Sequence, residues 1–137
     1  MATYNVTGAV AGIPLGKKMQ TVEVVLDFTS TSLATGDIVN VFEIPDNTLV
    51  LMAGIEVFQA ASTGSPTIDM GDAGAADTWV TDVSGSAVAQ EFGQTAKLYT
   101  AADNIDIIGV TAAFDGKIRC IAVMCDMGDP GVGAPFA

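Results

Sequence analysis

The sequence predicts an all-β fold, an antiparallel sandwich of about eight strands, and three observations carry that prediction. Apolar residues alternate with polar ones at a period of two through most of the chain, as in strands buried on one face. Short clusters of Gly, Asp, Asn and Pro separate those runs, where only such residues readily supply turn geometry. No segment repeats at a fixed period, which excludes a solenoid or a propeller.

The first three strands lie between Thr21 and Phe58. In TVEVVLDF, Val22, Val24, Leu26 and Phe28 alternate with Glu23, Val25 and Asp27. The turn SLATGD leads to IVNVFEI, where Ile38, Asn40, Phe42 and Ile44 alternate with Val39, Val41 and Glu43. PDNT then turns the chain into LVLMAGIEVF. After ASTGSP, the short run TIDM places Ile68 and Met70 on one face, and GDAGAADT is a loop leading to Trp79-Val80. Residues 82–95 are the least regular part, with room for one helical turn around Ala87–Phe92. KLYT is a strand, AADN a turn, and IDIIGVTA a strand with Ile105 and Ile107 on one face. Asp115-Gly116 in FDGK reads as a hairpin turn. The last run, KIRCIAVMCDM, is the most hydrophobic and is expected at the centre of a sheet. Strands of this number and spacing, divided between two sheets, favour a jelly roll.

Three segments follow: an N-terminal arm over 1–20, a sandwich over 21–127 and a Pro/Gly-rich tail over 128–137. Gly8, Gly12, Pro14 and Gly16 break any helix in the arm, yet it carries Val10, Ile13, Leu15 and Met19. Apolar residues in a segment that cannot build its own core predict an interface, on the chain's own sheet or on a neighbour. Phe136 in the tail is assigned to an interface on the same ground.

Composition narrows the function classes. Half of the residues are hydrophobic and only 15% are charged, so some apolar surface is expected to be covered by other chains. The net charge of −11, from sixteen acids against five bases, would repel phosphate, so no direct nucleic-acid partner is expected. No apolar run approaches the ~20 residues of a membrane helix, and the N-terminus MATYNVTGAV lacks signal-peptide character. Asn5-Val6-Thr7 fits a glycosylation acceptor but means little without secretion. Cys120 and Cys125 are an odd number apart in one strand, hence on opposite faces and expected as buried free thiols, consistent with a reducing cytosol.

The inventory for catalysis is thin. There is no histidine, which removes His-based triads and His-containing zinc sites. Asp69, Asp72 and Asp77 could offer oxygen ligands to calcium, but they lack EF-hand spacing and turn chemistry explains them more simply. Trp79, Tyr4 and Tyr99 could form a sugar-stacking platform; large aromatics more often fill core or interface space. The six methionines read as core filling, and Lys117 and Arg119, on one face of the last strand, as partners for acids of an adjacent strand or subunit or as charges that keep an edge soluble. No catalytic, cofactor or metal residues are assigned.

The run TVEVVLDFTSTSLATGDIVNVFEIPDNTLVLMAGIEVF resembles small tailed-phage capsid decoration, or cement, proteins. The later phrases TIDMGDAGAADTWV and KLYTAADNIDIIGVTAAFDGKIRCIAVMCDM follow the same layout, so the resemblance spans about Thr21 to Met127. It implies a jelly-roll-like virion protein, made in the host cytoplasm, that binds the outer head surface as a homotrimer and fastens major capsid protein subunits. The competing readings are another virion component, such as a head fibre base, tail protein or knob, and a carbohydrate-binding sandwich on Trp79 and Tyr99.

Overall fold

The computed structural model describes residues 19–128, which form nine strands. These are β1 (Met19–Asp27), β2 (Ile38–Ile44), β3 (Thr48–Gln59), β4 (Thr67–Gly71), β5 (Val80–Ser84), β6 (Ala89–Gly93), β7 (Lys97–Tyr99), β8 (Asp103–Gly109) and β9 (Lys117–Asp126). All strand pairs are antiparallel. The first sheet has the order β1-β9-β3-β6, with β7 also pairing β3, and the second has the order β2-β8-β4-β5. This is the expected all-β sandwich of jelly-roll type.

The opening strands do not form hairpins with one another. β1 and β3 lie in the first sheet while β2 lies in the second, so each early connection crosses the sandwich. Two turns that make these crossings contain residues in the left-handed region, Gly36 (φ 89°) and Asn47 (φ 53°). Residues of β1 behave as their alternation predicts: Val22, Val24 and Leu26 turn toward the core, while Glu23, Val25 and Asp27 are exposed.

β9 is central, flanked by β1 along nine residue pairs and by β3 along most of its length. Its Ile118, Cys120, Ala122 and Met124 are buried. They share one core with Ile55 of the neighbouring β3 and with Ile68, Ile105 and Ile107 of the second sheet, all fully buried. Burying each such side chain stabilises the fold by about 1.5–3 kcal/mol. Phe114 is also fully buried and meets Phe28 edge-on, with ring centroids 5.9 Å apart.

Three local expectations need correction. The alternation in β2 breaks at a bulge between Asn40 and Phe42, so Val39 and Val41 pack inward and then Phe42 and Ile44 do. Ile38, expected on the same face as Phe42, is consequently left exposed. Ala87–Phe92 contains no helical turn; Ala89–Gly93 pairs with β3 instead, and Phe92 lies over Gly54, where an added Cβ would collide with its ring. Pairing with a free sheet edge satisfies the backbone and overrides a weak local helix preference.

Asp115-Gly116 does not close a hairpin either, because β8 and β9 belong to different sheets. Both oxygens of Asp115 accept hydrogen bonds from Ser62, one from its amide at 2.7 Å and one from its hydroxyl, tying this crossing to the β3–β4 loop.

Phe114→Ala is expected to lower unfolding free energy by about 3–5 kcal/mol, because it removes a whole ring from a closed core. Urea denaturation of the two proteins measures this; a loss under 1 kcal/mol would show that the site collapses around the missing ring.

Candidate functional site

The sharpest polar feature of the described residues is a buried carboxylate. Asp72 follows β4, and its side chain is wholly removed from solvent. Its Oδ1 accepts hydrogen bonds from the amides of Gly74 (2.9 Å) and Ala75 (3.2 Å) and from the Thr78 hydroxyl (3.1 Å). Its Oδ2 accepts from Lys97 Nζ and from the Tyr99 hydroxyl, each at 2.6 Å. The Tyr99 oxygen in turn accepts from Trp79 Nε1 at 3.0 Å. Lys97 also sits 4.8 Å from the centre of the Tyr99 ring. Because Lys97 and Tyr99 are on β7 and Asp72 directly follows β4, the network joins the two sheets.

The electrostatics follow from that geometry. Burial alone would raise the Asp72 carboxyl, but bonds from Lys97, Tyr99, Gly74 and Ala75 outweigh it and hold it at about 2, below its ordinary 3.8. Burial, reinforced by the bond into Asp72, pushes the Tyr99 phenol well up, so it stays a donor. Five donors leave Asp72 saturated, and an ammonium already neutralises it. The arrangement is a structural clamp, with no free lone pair aimed at a ligand.

The aspartates considered as calcium ligands are therefore separated by role. Asp72 is in the clamp, and Asp69 accepts from the Asp82 amide at 2.7 Å. Among the described residues no group of three acids or thiols is placed to hold a metal ion. Trp79 and Tyr99 are 5% and 4% exposed, so neither offers a ring face to a sugar. Both cysteines are buried and unbridged, and burial pushes the Cys120 thiol up to about 12. A hollow open to solvent runs along Glu43–Pro45 and Ala102–Asn104.

The two outer faces of the sandwich are unlike. The second sheet holds no base at all, and carries Asp69, Asp106 and Asp82. Burial, and then neighbouring carboxylates, raise both Asp69 and Asp106. The three cations of the described residues, Lys97, Lys117 and Arg119, all belong to the first sheet. There Arg119 pairs with Glu23 (3.3 Å) and Glu56 (3.5 Å), and Lys117 with Asp27 (3.8 Å). The expectation that these bases meet acids of adjacent strands holds.

Beyond those pairs the same face turns apolar. The register puts Met19, Cys125, Leu49 and Leu98 in one row across β1, β9, β3 and β7. Thr21, Val123 and Met52 form the next row, and Ile121 lies beyond it. Met19 is 67% and Leu98 51% exposed. Of the residues assigned to an interface from sequence, Met19 is thus found on an exposed apolar face. Val10, Ile13, Leu15 and Phe136 lie outside the described residues. Sequence reading missed Leu98 and Leu49, because their neighbourhood exists only once β7 and β9 flank β3.

No protein-family model matches the chain, and no curated protein matches it in sequence. Solved structures do match its fold. A chain in the cyanophage Pam1 capsid asymmetric unit aligns with a TM-score of 0.62 at 19% identity, covering 80% of this chain and 86% of that one. A chain in the capsid of Ralstonia phage GP4 gives 0.61 at 15% identity, over 82% and 86%. A chain in the acidic stable capsid of Helicobacter pylori bacteriophage KHP30 gives 0.60 at 12% identity, over 78% and 86%. At such identities the likeness is one of fold.

The clamp has a pH signature. A carboxyl held below its ordinary value stabilises the fold fully above pH ~4, and that contribution of about 2 kcal/mol is lost as pH falls from ~4 to ~2. Asp72→Asn is expected to cost about 2–4 kcal/mol at pH 7 by unpairing Lys97 from a buried site. The gap between wild type and variant, read by urea unfolding, should narrow below pH 4; a gap independent of pH would refute the assignment.

Proposed function

We propose that this chain is a phage virion structural protein, a capsid decoration protein that binds the outer head surface and strengthens contacts between major capsid protein subunits. The observation that carries this reading is the fold shared with chains from three phage capsids over about four-fifths of the sequence. The chemistry agrees with it. Among the described residues the deeply buried polar cluster at Asp72 is a saturated clamp, and the outer faces offer a partner an acidic side and a half-apolar side.

A protein that binds only the assembled shell stabilises that shell by mass action. Self-association as a homotrimer would add avidity, since several weak contacts held together release more slowly than one. The terminal segments, with Val10, Ile13, Leu15 and Phe136, together with Met19, supply the contacts in this reading. The sugar-binding alternative loses its basis with the burial of Trp79 and Tyr99.

Heads lacking this protein should assemble but lose contents at lower temperature than complete heads, and adding the purified protein should restore resistance. Cryo-microscopy of complete particles should place it on the outer shell. Density on the tail or at a fibre base, or heads of unchanged heat resistance, would overturn the proposal. Removing residues 1–19 should leave a folded sandwich with weaker head binding, measured by co-sedimentation.

A further inference from the structure

One edge of the sandwich is unfinished among the described residues. β1 pairs with β9 along all nine of its residues and has no second partner there, which leaves the backbone groups of its other side without a ladder. Its side chains are short of cover too. Val22, Val24, Leu26 and Phe28 turn toward the core yet stay only partly buried, whereas Ile118, Cys120 and Ala122 of the adjacent β9 are fully buried. Across the seam, Val39 and Val41 of β2 are also only partly covered. At one end the seam opens into a hollow of about 410 Å³ lined by Phe28, Leu33, Ile38 and Val39. What fits such a seam is an extended segment, apolar on its inner side, that also bonds the β1 edge.

The sequence immediately before β1, outside the described residues, has the matching pattern. Two face assignments are open to a hairpin there. One would set Asn5, Thr7, Ala9 and Ala11 over the inward residues of β1, the other Tyr4, Val6, Gly8 and Val10. Only the second gives the seam an apolar inner side. A loop of Pro14–Lys18 realises it, with Ile13 opposite Met19, Val10 opposite Val22 and Val6 opposite Leu26. Hairpin loops of about five residues are common, and this one takes up Gly16 and Pro14, which has no amide for a ladder. Tyr4 would then reach Phe28 at the hollow. On the outer side Ala9 would lie opposite Glu23 and Asn5 opposite Asp27, and since no acid precedes Glu23, no like charges meet.

We infer that residues 4–13 add to the free side of β1 in the same chain as an outer strand, closing the seam over Val22, Val24 and Leu26. The tether selects the same chain: so short a loop holds the segment beside its site at an effective concentration in the millimolar range, which a second copy in dilute solution does not reach. The inference goes beyond the capsid reading and stands without it, because the free protein is measured. Of the arm residues offered there as head contacts, Ile13 and Leu15 stay outside and Val10 turns to the chain's own core.

The test is residue-resolved amide hydrogen exchange by NMR on dilute full-length protein. In the wild type, consecutive amides of β1 should all exchange slowly, because one set bonds β9 and the alternate set bonds the added strand. Val6→Lys with Val10→Lys should speed the alternate set about tenfold or more, while the β9-facing set stays slow and shows that the sandwich remains folded. Thr7→Lys with Ala9→Lys, on the outer side, should leave both sets slow. Ala11→Cys with Thr21→Cys, on the same outer side, should oxidise to a bridge within one chain and run as a monomer in non-reducing electrophoresis. An alternate set that exchanges like open backbone in the wild type would overturn the inference. So would inner and outer lysines that act alike, or a cysteine pair that stays open or bridges two copies.

Discussion

A carboxylate without solvent has to be paired, and this fold arranges itself around that requirement at Asp72. Apolar contact between two sheets is non-directional, so it fixes their separation better than their alignment. The clamp supplies direction: one oxygen of Asp72 holds its own loop through Gly74, Ala75 and Thr78, and the other reaches Lys97 and Tyr99 on the facing sheet. Trp79 is then located by its bond to Tyr99. The loop after β4, β7 and the start of β5 are thereby held in one arrangement, and β7 carries Leu98 to the end of the apolar row.

That internal order has an external consequence. With Lys97 engaged at Asp72 between the sheets, and Lys117 and Arg119 engaged by acids of the first sheet, no cation of the described residues is left for the outer face of the second sheet. The second sheet keeps a hydrated acidic face, while the first divides into an ion-paired half and an apolar half.

How much of this was legible in the sequence varies with the range of the interaction. Val22, Val24 and Leu26 report their face through local alternation, and the structure agrees. β9 was recognisable as central from hydrophobicity alone, since a strand flanked on both sides needs few polar residues. Ile38 misled because one bulged residue reverses every face assignment before it. Asp115-Gly116 misled because turn residues report a bend and not the sheet the next strand will join. Asp72 was singled out with Asp69 and Asp77 as a turn acid, but its role depends on Lys97 and Tyr99, 25 and 27 residues away. No local pattern carries that pairing.

The edges of the sandwich extend the argument from faces to strands. β1 is a nine-residue strand with no second partner among the described residues, and its Val22, Val24 and Leu26 are only partly covered. Across the open seam, Val39 and Val41 of β2 are in the same state. Edges of this length usually carry an inward charge, a proline or a central lysine that discourages pairing with other chains. β1 has none of these; its charges, Glu23 and Asp27, point outward and are matched by Arg119 and Lys117. The net charge of −11 opposes random aggregation at long range, but it does not protect a specific edge. Among the described residues, then, the β1 edge is kept from casual pairing by net charge and not by local sequence devices.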